Sequence, residues 1–192
     1  MSELSRRFVH STGAVPPLAY LAGVVPWWVV QWLLVGCSVL VVVLEVLRLS
    51  GYVSWWIYDR LTREYEQDNP AGYALYVLSY TATLWLFDPA IAVPAVLMLA
   101  IADPISGYLS EGGLGRKRTR VLAATFGVCL AIATLVDYGT FLDVPLAAAV
   151  AGALTATIAD GATPIVRGYV IDDNATIPLG AATAMWLVVT FL

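Results

Sequence analysis

From Gly13 to Leu47 the chain carries a single charged side chain, Glu45. A helix crossing a bilayer needs about 20 mostly apolar residues. This run is too long for one such helix, and Pro26-Trp27-Trp28 divides it with aromatics suited to an interface. The pattern continues along all 192 residues, of which 60% are hydrophobic and only 12% charged. Mean hydropathy is +0.79. A water-soluble domain of this size needs about a quarter of its residues charged to cover its surface. The chain is therefore expected to be one membrane-embedded, all-α domain over 1–192. Its first helix is expected to be retained, because the residues before it are too polar for a signal peptide.

The apolar runs predict about seven transmembrane helices. They fall near 8–25, 28–48, 70–87, from Pro89 to Asp103-Pro104, 119–137, 144–160 and 176–192. YVSWWIYDRLTREYEQDN, over 52–69, cannot span but suits the membrane surface. With a cytoplasmic N-terminus, the inside segments hold all ten basic residues: Arg6, Arg7, Arg48, Arg60, Arg63, Arg116, Lys117, Arg118, Arg120 and Arg167. The outside turns hold Asp88, Asp137 and Asp143 with no basic residue, as the positive-inside rule requires. The net charge of −4 argues against nucleic-acid partners. Cys37 and Cys129 lie in apolar runs without ligand spacing and read as small core residues.

The polar clusters all fall on the expected cytoplasmic side. In LAIADPISGYLSEGG, Asp103 ends an apolar run, where an acid costs a few kcal/mol unless paired, hydrated or metal-bound. Alternatively it caps the next helix. In GLGRKRTR, glycines precede Arg116, Lys117, Arg118 and Arg120. Flexible backbone beside such cations suits phosphate oxygens, and equally suits a positive loop resting on anionic headgroups. In RGYVIDDNATIPLG, one of Asp172, Asp173 and Asn174 would suffice as a helix N-cap ahead of Pro178. Three such side chains in a row also suit Mg²⁺, which takes hard oxygen ligands together with substrate phosphates. LTREYEQDN offers Arg63, Glu64, Glu66 and Asp68, a set that could equally be a solvated face. Glu45 and Arg48, at i,i+3, read as a structural pair. His10, the only histidine, reads as a polar contact at a membrane boundary.

Taken in order, ELSRRFVHSTGA, VLEVLRLSG, LTREYE, IADPISG and VIDDNATIPL resemble the dolichol kinase, phytol kinase and CTP-dependent diacylglycerol kinase group of membrane lipid kinases. That group is related to the phosphatidate cytidylyltransferases, and the similarity is greatest to archaeal dolichol kinase-like members. The resemblance implies transfer of the γ-phosphate of CTP to an isoprenoid or other lipid alcohol, with Mg²⁺, at the cytoplasmic face of the plasma membrane. By position, Asp103 matches the family's A-D-P acid, and Asp172, Asp173 and Asn174 match its D-D-N. The run Arg116-Lys117-Arg118 falls near its Gly-Lys phosphate segment, although RKRTRVLAATFG lacks the Glu-Gly that commonly follows.

The expected site follows from these matches. Asp172, Asp173 and Asp103 are the metal ligands, and Asp103 and Asp173 are the catalytic acids. Arg116, Lys117, Arg118, Asn174, Arg63 and Glu64 lie on the nucleotide side. A cytidylyltransferase using the same metal and loop, and a non-catalytic membrane homologue, are the alternatives.

Overall fold

The computed structural model describes residues 3–51, 62, 66–67, 69–110, 117–139, 143–162, 165–166 and 169–192. Among them the protein is helical apart from one two-residue antiparallel ladder. The elements are α1 (Glu3–Ser11), a 3₁₀ turn (Thr12–Ala14), α2 (Val15–Leu21), α3 (Trp27–Leu49), α4 (Gly72–Leu86), α5 (Pro89–Leu97), a wide π turn (Met98–Ala102) and α6 (Asp103–Leu109). After these come α7 (Thr119–Gly139), α8 (Leu146–Gly161), β1 (Ile165–Val166), β2 (Tyr169–Val170) and α9 (Asp173–Phe191).

Among the described residues, four helical stretches are long and apolar enough to cross a membrane: Trp27–Leu49, Pro89–Leu109, Thr119–Val136 and Asp173–Phe191. These helices are compatible with a multi-pass membrane protein. The other expected spans are shorter or broken. At 1.5 Å per residue, α4 and α8 reach only about 22–24 Å, less than a hydrocarbon core of about 30 Å. The first expected span breaks at Thr12–Ala14. The cause is Pro16 and Pro17, which cannot donate back to Thr12 and Gly13. The Gly13 carbonyl instead accepts from Tyr80 Oη at 2.8 Å.

Two further boundaries differ from expectation. The fourth span does not end at Asp103-Pro104; it passes through the π turn and continues as α6 to Leu109. Proline at the start of a helical segment loses no needed N–H, and its ring displaces the preceding turn rather than ending the helix. The last helix begins at Asp173, before the expected 176, because Asp172 supplies its N-cap.

The stretch Pro89–Leu109 is the axis of the fold, and every residue from Ile91 to Ala100 is buried. Packed on it are α8 and α9, joined through small residues. Ala148, Ala149, Ala153 and Ala156 share one core with Ala181, Ala182 and Met185. Between membrane helices, where lipid is as apolar as leucine, such close backbone approach supplies the attraction. A Cβ at Gly152 would lie 2.6 Å from Met185 Cγ. By contrast α3 is peripheral and exposes Trp28, Trp32, Leu33, Val39, Leu40 and Val43. Both cysteines are unbridged; Cys129 is buried and Cys37 partly so.

Candidate functional site

Three carboxylates from three helices meet at one end of the bundle. Asp103 opens α6, Asp160 stands in the last turn of α8, and Asp173 opens α9. One oxygen of each lies within 4.8 Å of the others. At an effective dielectric of 20, like charges that close repel by about 3 kcal/mol or more per pair, so the cluster needs positive charge nearby. Lys117, just before α7, supplies one. Its Nζ donates to Asp160 Oδ1 at 2.6 Å and to Ser106 Oγ at 2.9 Å. Ser106 Oγ in turn donates to Asp160 Oδ2 at 2.5 Å, and Thr125 Oγ1 stands 3.5 Å from the same oxygen. The Lys117 backbone is pinned as well, its N–H donating to Gly161 O at 3.2 Å. An acid in the last turn of a helix opposes the macrodipole. Asp160, only 2% exposed, is held there by these partners.

Asp103 is aimed by the turn before it. The Asp103 N–H reaches back five residues to Met98 O, which leaves the Leu99 carbonyl without its helical donor. His10 Nε2 supplies one, at 3.0 Å, and stands 3.5 Å from Asp103 Oδ2. Since a carbonyl only accepts, Nε2 carries the proton. The Tyr76 ring lies edge-on to His10 at 4.3 Å, and Tyr76 Oη donates to His10 O at 3.1 Å.

Around Asp172 the polar groups do structural work. Asp172 Oδ1 accepts from the Asn174 N–H at 2.9 Å and from Asn174 Nδ2 at 2.6 Å. Pro178 cannot donate back to Asn174 O, and Ser79 Oγ of α4 takes that place at 2.6 Å. Asn174 Oδ1 is buried with no hydrogen-bond partner among the described residues. Glu66, only 3% exposed, joins this group. A Cβ at Gly72 would find Asn174 Nδ2 at 3.1 Å, Glu66 Oε1 at 3.4 Å and Asp172 Oδ2 at 3.5 Å.

The adjoining corner is held by Arg48. Its guanidinium grips Glu45 through Nε at 3.1 Å and Nη2 at 2.6 Å. It also donates to the carbonyls of Glu66, Gln67 and Asn69. Glu45 further accepts from the Ala71 N–H and from Tyr73 Oη.

Of the residues expected from the sequence, Asp103, Asp173 and Lys117 come together. Asp172 and Asn174 lie beside them as a helix cap, and Asp172 is outside the three-carboxylate group. Arg118 is exposed. Arg116, Arg63 and Glu64 lie outside the described residues. Glu66 is buried, not a solvated residue, and the Glu45–Arg48 pair is structural as read. Sequence reading missed Asp160, Ser106 and Thr125. Asp160 carried the same signal as Asp103, an acid closing an apolar run, and its DGATP echoes DNATIP. His10 is a polar contact as read, bonded to Leu99 O and standing 3.5 Å from Asp103 of the acid cluster.

The donor set suits a hard divalent cation. Among the described residues it is all carboxylate oxygen, with no thiolate, and its negative charge exceeds that of the Lys117 ammonium in contact. No protein-family model, curated protein or solved structure matches the chain.

Proposed function

We propose that the protein is a membrane phosphotransferase that moves the γ-phosphate of a nucleotide, CTP by the resemblance, to a lipid alcohol of polyprenol type. The observation that carries this reading is the convergence of Asp103, Asp160 and Asp173 beside Lys117 at the polar end of an apolar bundle. A water-soluble nucleotide and a bilayer-bound alcohol can meet only at such an end. Phosphoryl transfer asks the protein mainly for position and charge neutralisation.

Asp103, Asp160 and Asp173 would hold Mg²⁺, which when bound neutralises nucleotide phosphate oxygens. Lys117 would share its ammonium between Asp160 and a phosphate oxygen, with Arg116 and Arg118 near it in sequence. Asp103 is far more open than Asp160, 18% against 1% by side chain. That exposure supports Asp103 as the acid that would take the proton of the lipid hydroxyl. The basic residues gathered on this side favour a cytoplasmic orientation, and the resemblance implies a plasma-membrane setting.

The test is product analysis with γ-labelled CTP and ATP, Mg²⁺, and polyprenol, phytol-like or diradylglycerol alcohols. Label in the lipid with CDP or ADP released is the expected result. Pyrophosphate released on phospholipid acids, with no label in any alcohol, would make the protein a cytidylyltransferase instead.

A further inference from the structure

We infer that His10 is a positioning residue for Asp103, acting through the Leu99 carbonyl; the inference rests on the cation reading of the acid cluster. Its basis is the π turn. Pro104 in an α-helical register would press its ring on the Ala100 carbonyl, so the chain widens by one residue and Asp103 N–H bonds to Met98 O. Leu99 is fully buried, and its passed-over carbonyl has water out of reach. An unmade hydrogen bond there would favour collapse of the turn. Collapse to α geometry would rotate Asp103 by about 100° about the helix axis, one residue's advance, carrying its carboxylate away from Asp160 and Asp173. Pro104 opposes that collapse sterically, and His10 removes its driving force by donating to Leu99 O at 3.0 Å, the same Nε2 standing 3.5 Å from Asp103 Oδ2.

His10 is itself fixed from both sides. Tyr76 Oη holds its carbonyl, and that approach exists only because residue 13 is glycine, where a Cβ would lie 1.8 Å from Tyr76 Oη. In the middle of α1, Arg7 lies along Gly107 of α6, its Cζ 3.1 Å from where a Cβ would stand. A whole helix is thus docked to present one N–H to one carbonyl. Wide turns of this kind cluster at functional sites.

The experiment measures Mn²⁺ affinity by electron paramagnetic resonance on the full-length protein in detergent, with thermal unfolding alongside. His10→Leu is expected to weaken Mn²⁺ about tenfold, as loss of groups that orient metal ligands does. His10→Gln, whose Nε2 can donate to the same carbonyl, is expected to bind Mn²⁺ as tightly as the wild type. Should His10→Leu fail to fold, Tyr76→Phe removes only the hydroxyl on the His10 carbonyl and is expected to weaken Mn²⁺ about twofold. Mn²⁺ bound by the wild type and lost in Asp160→Asn, yet unchanged in His10→Leu or in Tyr76→Phe, overturns this inference alone. So does a well-folded His10→Gln as weak as His10→Leu, since the imidazole itself would then be needed. No Mn²⁺ on the wild type overturns the cation reading and this inference with it.

Discussion

Lys117 Nζ stands 2.6 Å from Asp160 Oδ1, an ion pair between the segment two residues ahead of α7 and the last turn of α8. The lysine side chain is 17% exposed and the aspartate 1%, so the pair is nearly out of water. Removing one member of a buried pair costs about 3–5 kcal/mol, because the other is left uncompensated. Ser106 continues to donate to Asp160, which places Lys117→Met near the lower end, about 3 kcal/mol. Thermal unfolding is expected to show this loss without divalent cation. Added Mg²⁺ is expected to raise the midpoint more in Lys117→Met than in the wild type. Equal Mg²⁺ shifts in the two proteins would detach the lysine from the cation site.

The Arg48 hub gives a stability prediction without a site argument. One guanidinium serves Glu45 and three backbone carbonyls. Arg48→Lys keeps the charge but loses the planar fork. We expect it to lose most of the stability that Arg48→Met loses, about 3 kcal/mol for breaking a buried, hydrogen-bonded pair. Denaturant or thermal unfolding of both variants checks this, and a lysine variant as stable as the wild type contradicts it.

Gly13 and Tyr76 are expected to couple. Gly13→Ala forces a Cβ onto Tyr76 Oη, and overpacking of this kind costs about 1–3 kcal/mol. Tyr76→Phe removes the clashing oxygen and leaves the ring. In a double-mutant cycle on unfolding free energy, the pair is expected to be less destabilising than the sum of its parts by about 0.5 kcal/mol or more. Additivity would place the residues apart.

The bundle's two ends are expected to be accessible from opposite sides of the membrane. Arg118 and Asp88 are both exposed, near α7's start and before α5. With Cys37 and Cys129 replaced by alanine, Arg118→Cys should react with a membrane-impermeant maleimide in inside-out vesicles. Asp88→Cys should react in right-side-out ones. The reverse pattern would turn the site outward.

Much of this fold is legible in the sequence because lipid imposes one simple demand, about 20 apolar residues per crossing. The starts of α3, α7 and α8 follow from it within two residues. What the runs conceal is where a helix continues through proline. Pro104 reads as a stop, yet the π turn absorbs it and carries Asp103 into a helix that ends at Leu109. The site was legible in part for the same reason. Asp103 and Asp173 stand out as acids beside apolar runs, whereas Asp160 becomes meaningful only when α8 brings it to them. His10 is 89 residues from its partner Leu99, and no local pattern announces that bond. At Asp172 the sequence reads as cap and as ligand alike, because both uses show the same oxygen; the structure shows the cap.

The most direct test of the central claim is Mg²⁺-dependent transfer of label from γ-labelled CTP to a polyprenol, comparing the wild type with Asp103→Asn, Asp160→Asn and Asp173→Asn. If the three carboxylates act as one centre, each substitution alone lowers the rate by a factor on the order of 100 or more. Removing two lowers it little further, since groups acting as a unit are not additive. Asp160→Asn is the decisive variant, because structure alone brings it to the site. Wild-type transfer that persists undiminished in Asp160→Asn would contradict the account.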